Sequence, residues 1–412
     1  MAVVLLDSLA RGWASPGAPE LLPPARQNVV RLKAREIERD LRARRRSAAA
    51  LATEGESEAV RSTELWNVVV PARGVVALAK AKAMIGAIAA EIPARVIVLA
   101  HSESSISSDI QSSTASTVVR NSNGAGLGYS EEITLTGPRR SEEDFGPLVL
   151  ALQLPDVPTA TLWIESPAMD GVITRALLPL SHLLVVDTGR YEHPDELAAL
   201  HRLTSRCAAE LSDLGWLRLS GFRMLFARLL DQWMGGQPSH DTIRITIVHR
   251  PTSAASALLL GAGLACQMGG TSTDAWQSSD GRPCLTFTTG SPSSNRVRIE
   301  LDPRASEDEC GPGGIIAIEM RSLGTRLTID GAASVAGKPT PREQDYLLRY
   351  THDDRAEIRV PDAPPRSVKL DSPTDAELWV DTLGPNGCDP QLTKALATAA
   401  WLADRLARRD TA

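Results

Sequence analysis

The sequence predicts an α/β protein of two unlike parts: an N-terminal, mainly parallel sheet with flanking helices, then an α+β domain with a mostly antiparallel sheet. Three observations predict it. Between Leu65 and Ala100 a β-branched run (LWNVVVP), a helix-length stretch with an apolar face and a second apolar run (ARVIVLA) follow one another. Parallel neighbours must be joined by a dozen residues or more, and this spacing supplies them. From residue 241 the rhythm changes. Short alternating runs (PCLTFTT, NRVRIEL, GIIAIEM, TRLTIDG, DYLLRY, AEIRVP) are separated by turn residues at hairpin-like intervals. The third observation lies between the two parts, where Phe222, Leu225, Phe226, Leu229, Leu230 and Trp233 recur at helical spacing behind Ser220, a residue type that caps helices.

Taken in order, four segments are expected. Residues 1–25 form a flexible N-terminal segment, rich in Pro, Gly and Ala over 12–25. Residues 26–64 form a basic helix and an acidic linker (TEGESE). The helix carries Val30, Ala34, Ile37, Leu41, Ala48 and Leu51 along one face, and i,i+4 pairs such as Glu38–Arg42 support it. Residues 65–238 form a Rossmann-like α/β domain with linking helices. A helix over 74–91 lies between its first two strands. A strand over Thr117–Arg120, another at EEITLTG (131–137), a helix at 141–152, strands at PTATLWI and HLLVVD, and a helix over 194–214 follow. Residues 239–412 form the α+β domain. It opens with strand TIRITIVHR and a helix at 252–268 and closes with C-terminal helices near 373–383 and 390–408.

Composition excludes several classes. A net charge of −6 leaves no global footprint for nucleic acid. Nine basic residues face three acidic ones between Arg26 and Arg46, but that run has no aromatic for base stacking, so a helix packing its stripe on the body is the plainer reading. Five scattered cysteines without a CxxC pair argue against a zinc cage or a disulfide framework and fit a reducing compartment. The opening MAVVLLDSLARGW lacks a charged n-region, and no apolar run approaches the ~18 residues of a membrane helix. A cytoplasmic, membrane-free protein is expected.

The chemistry-bearing residues are few. Ligands of open parallel sheets sit at the carboxyl ends of the strands. Those ends carry His101, Glu165, Asp187 and Arg190, which together would suit a phosphorylated or hydroxylated ligand; as plain caps of strands and loops they would do nothing. The glycine-rich run Asn123–Gly128 precedes a strand instead of opening a helix, so it lacks the helix N-terminus that would hold a phosphate and reads as a loop. His352-Asp353-Asp354 reads as a hairpin turn, not a metal site. With no GxxxxGK[ST], HExxH or GxSxG, no catalytic residue, metal or cofactor is expected.

Several stretches together resemble one family, the glucose-6-phosphate dehydrogenase assembly proteins (OpcA). They are LWNVVVP (65–71), ARVIVLAHSE (94–103), EEITLTG (131–137), LPDVPTATLWIESP (154–167), HLLVVDTGRY (182–191) and DLGWLRLSGFRMLFARLLDQ (213–232), in the family's order, with DAELWVDTLGPNGCDPQLTKALATAAWL at the C-terminal end. Phe222 stands where relatives tend to have Trp, and the C-terminal helix lacks a Tyr-Glu pair after Asp389. Gly128-Tyr129-Ser130 stands where some relatives carry cysteines, so redox control through that place does not carry over. The resemblance implies a non-catalytic protein whose partner is glucose-6-phosphate dehydrogenase and which promotes that enzyme's active assembled state. Trp216, Arg218, Phe222 and Arg223 are the candidate partner-binding residues, because aromatic and arginine side chains anchor such contacts. The bland role for the two aromatics is core packing. The alternative is a sugar-phosphate or nucleotide enzyme or sensor using His101, Glu165, Asp187 and Arg190.

Overall fold

The computed structural model describes residues 24–51, 65–101, 109–120, 127–167, 171–234, 242–278, 281–289, 296–305, 310–325, 341–351, 354–361, 363–370, 372–384 and 387–409. Residues 1–23 of the expected flexible segment 1–25, the acidic linker, Asn123–Gly126 of the glycine-rich run, most of TRLTIDG and His352-Asp353 lie outside them, whereas Pro24 and Ala25 open a helix and Leu127 and Gly128 a strand, which corrects those two ends. The described residues form two compact units. The first comprises residues 1–187, 202–214 and 373–389, and the second residues 188–201, 215–372 and 390–412.

In the first unit, β1 (Trp66–Arg73), α2 (Gly74–Glu91) and β2 (Ala94–His101) form the expected parallel pair, Trp66 opposite Ala94 through Arg73 opposite His101. The sheet has seven strands in the order β3-β4-β2-β1-β5-β6-β7. β3 is Gln111–Arg120, β4 Leu127–Gly137, β5 Thr159–Leu162, β6 Leu183–Val186 and β7 Glu210–Asp213. All pairings are parallel except β3 with β4. The chain runs outward from β1 through β2 to β4 and returns on the other side at β5, so the order reverses between β1 and β5, the place where doubly wound sheets form a crevice. β1, β2, β5 and β6 are buried on both faces; their sequences are mostly apolar, with Asn67, Arg95, Thr159 and Thr161 as the buried polar exceptions.

β7 corrects the expected helix over 194–214. The helix, α5 (Pro194–Thr204), stops short, and Glu210–Asp213 adds a strand to β6. Leu203, Cys207, Leu211 and Leu214 keep a helical spacing through this stretch, and a four-residue strand is too short to show its own alternation. Pairing with an existing edge decides the matter: the Glu210 amide donates to His182 O at 2.9 Å.

The basic helix α1 (Pro24–Leu51) packs on β3 and on α3 (Glu142–Leu152) through Val30, Ala34, Ile37 and Leu41, all buried. Its charges also reach inward. Arg95, inside β2, and Glu131, inside β4, are both buried, and Arg95 Nη2 and Nε both donate to Glu131 Oε2, at 2.6 and 2.9 Å. Glu38 of α1 accepts from Arg95 at 2.5 Å, Arg45 of α1 donates to Glu131 at 2.8 Å, and Leu152 O accepts from Arg95 at 2.8 Å. Two desolvated charges are tolerated there because nearly every donor and acceptor is engaged. Asn67, fully buried in β1, holds the loop before β5 by donating to Leu154 O and Val157 O and accepting from Leu154 N. Helix α9 (Asp375–Leu383) also belongs to this unit and packs on α2; Thr374 and Glu377 close a capping box at its start.

The second unit holds an eight-stranded sheet, β15-β14-β13-β12-β8-β11-β10-β9. The strands are β8 (Thr242–His249), β9 (Gly270–Gln277), β10 (Pro283–Thr289), β11 (Arg296–Pro303), β12 (Ile315–Thr325), β13 (Pro341–Tyr350), β14 (Arg355–Arg359) and β15 (Arg366–Lys369). Six of its seven pairings are antiparallel; β11 runs parallel to β8. Helices α8 (Ala254–Gln267) and α10 (Pro390–Arg409) pack against each other, and both reach β9. Ile247, Ile299 and Leu301 point toward α8 at Gly261. The opposite positions bear charges that pair with one another, along β11 and its end in Arg298–Glu300 and Arg304–Asp302, both at 2.7 Å, and across β12 and β13 in Arg321–Asp345 at 2.8 Å. β9 and β15 have no counterpart among the expected runs; neither GTSTDAWQ nor RSVK is rich in β-branched or aromatic alternation. Among the described residues no helix is long and apolar enough to cross a membrane.

The buried ion pair yields a stability prediction. Glu131→Ala strands much of the Arg95 charge in the sheet and is expected to cost about 3 kcal/mol or more in urea unfolding. The apolar double replacement Arg95→Met with Glu131→Leu should recover most of that loss. Equal costs for the single and double variants would show that the pair itself holds the unit together.

Candidate functional site

The partner-binding candidates lie on α6 (Leu214–Arg218) and α7 (Ser220–Met234). Trp216 and Phe222 are buried completely, Arg223 is only 9% exposed and Arg218 is half-buried. The Arg223 guanidinium lies over the Trp216 ring, 3.7 Å from its centroid, and one of its nitrogens donates to Trp216 O at 3.5 Å. Behind the indole is α8, where a Cβ at Gly263 would come within 2.6 Å of the Trp216 ring. Phe222 abuts Gly311, where a Cβ would lie 2.9 Å from the ring. Gly215 has the same reason to be glycine, since a Cβ there would fall 2.4 Å from Gly189 N and from Thr188 Oγ1. The run Gly215-Trp216 with Phe222-Arg223 is therefore a packing knot. Trp216, Phe222 and Arg223 face inward, and the guanidinium stacks on the indole and donates to a carbonyl of its own chain.

The strand-end residues are spread along the sheet. His101 ends β2, Glu165 is exposed after β5, and buried Asp187 follows β6. β1 separates β2 from β5, so His101 and Glu165 stand two strand spacings apart, about 10 Å. Arg190 belongs to the second unit, exposed in a short 3-10 turn.

The neighbours of His101 are others. Its ring meets Phe145 edge-on at 5.6 Å, and its Nε2 lies 3.7 Å from the Glu142 carboxylate in the first turn of α3. The side chain is 10% exposed and neither ring nitrogen has a hydrogen bond. Burial pushes the His101 pKa below its ordinary value; Glu142 opposes the shift, and the Arg73 and Arg139 guanidinium groups add to it. Burial likewise holds His182 and His249 low. His182 Nδ1 accepts from Thr159 N at 3.1 Å, which fixes its neutral tautomer. Burial raises the thiol pKa of Cys207 and Cys284, so these two are protonated thiols near neutral pH, without the thiolate a nucleophile needs. Among the described residues no group of three His, Cys, Asp or Glu side chains is placed to hold a metal.

The turn from β1 into α2, at the point where the strand order reverses, went unremarked in the sequence. It reads Ala72-Arg73-Gly74-Val75-Val76-Ala77. Gly74 has φ +78°, and a Cβ there would meet no atom within 4 Å. Arg73, Gly74, Val75 and Val76 form an exposed run directly after a fully buried strand, and α2 starts without a side-chain cap. Two adjacent valines off the Leu78, Ala81, Ile85, Ile88 face were the available signal.

Comparison with known proteins gives family matches between residues 86 and 396. Residues 86–205 match the OpcA assembly family described as the glucose-6-phosphate dehydrogenase subunit N-terminal domain, and residues 209–396 match the corresponding C-terminal domain. A protein of Nostoc punctiforme, named a putative OxPP cycle protein OpcA, is 27% identical over 130 residues, which is 31% of this chain and 28% of that protein. The match thus spans under a third of that relative's length. Among solved structures, glucose-6-phosphate 1-dehydrogenase from Mycobacterium avium aligns over 84% of this chain and 92% of its own, with 10% identity and a TM-score of 0.48. Biliverdin reductase from Synechocystis aligns over 84% and 100%, with 12% identity and a TM-score of 0.42. Neither likeness is close enough to argue from.

Two expectations follow from the geometry. Trp216→Ala should cost roughly 3–5 kcal/mol and Arg223→Ala about 2 kcal/mol in thermal or urea unfolding. A melting temperature for Arg223→Ala equal to that of the parent would mean the stack contributes nothing. The second concerns pH. A histidine whose folded pKa lies below its unfolded value of 6.5 binds fewer protons folded than unfolded, so stability is full above pH 6.5 and declines as pH falls through the folded value. Unfolding free energy should therefore drop between pH 7.5 and 5.5. His101→Phe should flatten part of that slope; an unchanged slope would exclude His101 as a contributor.

Proposed function

Because this chain belongs to the OpcA glucose-6-phosphate dehydrogenase assembly family, we propose that it is a non-catalytic assembly factor and allosteric activator of glucose-6-phosphate dehydrogenase, binding that enzyme's active oligomeric form. The observation that carries the reading is the match of both family domains, in order, over residues 86–205 and 209–396. The β1–α2 turn supports the non-catalytic part. A dinucleotide fold places glycines there so that the backbone can approach a pyrophosphate. This turn has Ala72 and Arg73 before Gly74, followed by two exposed valines. Such side chains suit a protein surface better than a diphosphate. The imidazole at the end of β2, His101, is enclosed by Phe145 and Glu142, and burial holds its pKa below the ordinary value.

An activator of this kind works by differential affinity. It shifts its partner toward the active form only by the ratio of its affinities for the two forms, and about 1.4 kcal/mol of preference gives a tenfold shift.

The test uses the purified chain and the dehydrogenase of the same organism. The chain alone should form no NADPH from glucose 6-phosphate and NADP. Added to the dehydrogenase, it should raise kcat/KM and shift the enzyme to a larger species in size-exclusion chromatography with light scattering. Turnover by the chain alone would overturn the non-catalytic reading. Kinetics and oligomeric state both unchanged by saturating chain would overturn the activator.

A further inference from the structure

We infer that the outward face of α1 is a docking surface for a row of carboxylates on the dehydrogenase, contacted through Arg31, Arg35, Arg39, Arg42 and Arg46. The partner's identity rests on the proposed function. The physical basis of the surface is separate.

The five arginines follow one another at intervals of four, four, three and four residues. At 3.6 residues per turn they fall within about 80° of the helix circumference and span about 22 Å along its axis. The buried stripe of Val30, Ala34, Ile37 and Leu41 lies about 130° away around the helix, so packing on the body does not call for them. All five are exposed. Among the described residues none of them makes an ion pair, and Arg46 Nε donating to Arg42 O at 3.2 Å is their one side-chain hydrogen bond.

The carboxylates that could neutralise the row are engaged elsewhere. Glu36 pairs with Lys33 at 3.2 Å, and Asp40 pairs with Arg44 at 3.4 Å and accepts from Thr114. Glu38 is spaced to pair with Arg42 but reaches Arg95 instead, at 2.5 Å. Glu131, in the sheet beneath, is held by Arg45 and Arg95. In α3, which packs beside α1, Glu142 faces His101 and Arg139, and Glu143 and Asp144 have partners other than these five arginines.

The row works against the helix that carries it. Arg31–Arg35, Arg35–Arg39 and Arg42–Arg46 are i,i+4 neighbours and Arg39–Arg42 is an i,i+3 neighbour, and like charges so placed destabilise a helix. A surface that serves solubility alone intersperses the two signs. A facing row of carboxylates would relieve the repulsion through charge-assisted hydrogen bonds. Leu32, exposed beside the row, adds the apolar contact that protein interfaces contain. A duplex or an anionic bilayer fits less well. The face has no aromatic for stacking or interfacial anchoring, and the net charge of −6 opposes approach to an extended polyanion. A second copy of this chain would set arginine against arginine.

The experiment follows association and dissociation of the full chain with the same organism's dehydrogenase by biolayer interferometry, from low to moderate salt, with melting temperatures taken in parallel. One variant carries Arg31→Gln, Arg35→Gln, Arg39→Gln, Arg42→Gln and Arg46→Gln together. The control carries Arg296→Gln, Arg366→Gln and Lys369→Gln, exposed cations of the second unit. The α1 variant should bind about tenfold weaker or worse at low salt, mainly through slower association, with a smaller salt dependence. Gln has nearly the helix propensity of Arg and removes the repulsion, so its melting temperature should equal or exceed the parent's. The control should bind like the parent. Parental affinity in the α1 variant overturns this surface and leaves the activator reading standing. Equal weakening in the control makes the effect one of net charge and also overturns it. A lowered melting temperature in the α1 variant means that the row is already engaged within the chain, for which Glu54, Glu56 and Glu58 follow α1 in the sequence, and overturns it as well. Binding of a short DNA duplex or of phosphatidylserine vesicles that the five replacements abolish, with dehydrogenase affinity unchanged, assigns the row to a polyanion instead. A parent chain that does not bind the dehydrogenase at all overturns both this surface and the activator.

Discussion

A helix buried on every side sets the terms for the second unit. Residues Ala255 to Ala265 of α8 are all buried, so no position of that helix can carry a charge or a long polar side chain. Its composition, AASALLLGAGLACQ, answers that constraint with small and aliphatic residues. Gly261 lets the sheet come close through Ile247, Ile299 and Leu301, and Gly263 receives the Trp216 indole. With the indole in place, the remaining ring face is available to Arg223, and the guanidinium stack follows. The most family-specific stretch of the sequence is thus explained by packing: Gly215, Trp216, Phe222 and Arg223 are there because close-packed interiors tolerate neither voids nor overlaps.

In the first unit the organising interaction is electrostatic. Arg95 and Glu131 occupy adjacent strands at positions that the sheet buries, and an unpaired charge there would cost several kcal/mol. Glu38 and Arg45 complete the set from α1. This gives the basic helix a structural reason for two of its charges and ties its register to the sheet. The charges on the open face of the second sheet are a different matter. They are partly exposed, pair with one another along and across strands, and contribute solubility more than stability.

These observations separate scaffold from surface. The aromatic-arginine group that looked most like a binding site packs in the interior, whereas the turn at the reversal of strand order is open and carries two exposed valines. That turn keeps the position a ligand would occupy in a doubly wound sheet and replaces glycine's close approach with bulky side chains.

The sequence by itself determined the α/β class, the change from parallel to antiparallel pairing near residue 241 and the buried faces of α1 and α7. Those features are written as local periodicity and strand spacing, which short stretches of chain carry alone. It also carried the family resemblance. Only the tertiary structure decided that Glu210–Asp213 is a strand, because a four-residue segment takes its conformation from the edge it joins. The same holds for Gly270–Gln277 and Arg366–Lys369, which lack strand-like composition and are extended because a neighbour offers a ladder. The parallel pairing of β11 with β8 depends on a crossover no local pattern reports. Which charges are buried, which arginine stacks and which valines stay exposed were likewise settled by packing. Burial is a property of what surrounds a side chain, and for Arg95, Arg223, Val75 and Val76 the surroundings come from distant parts of the chain.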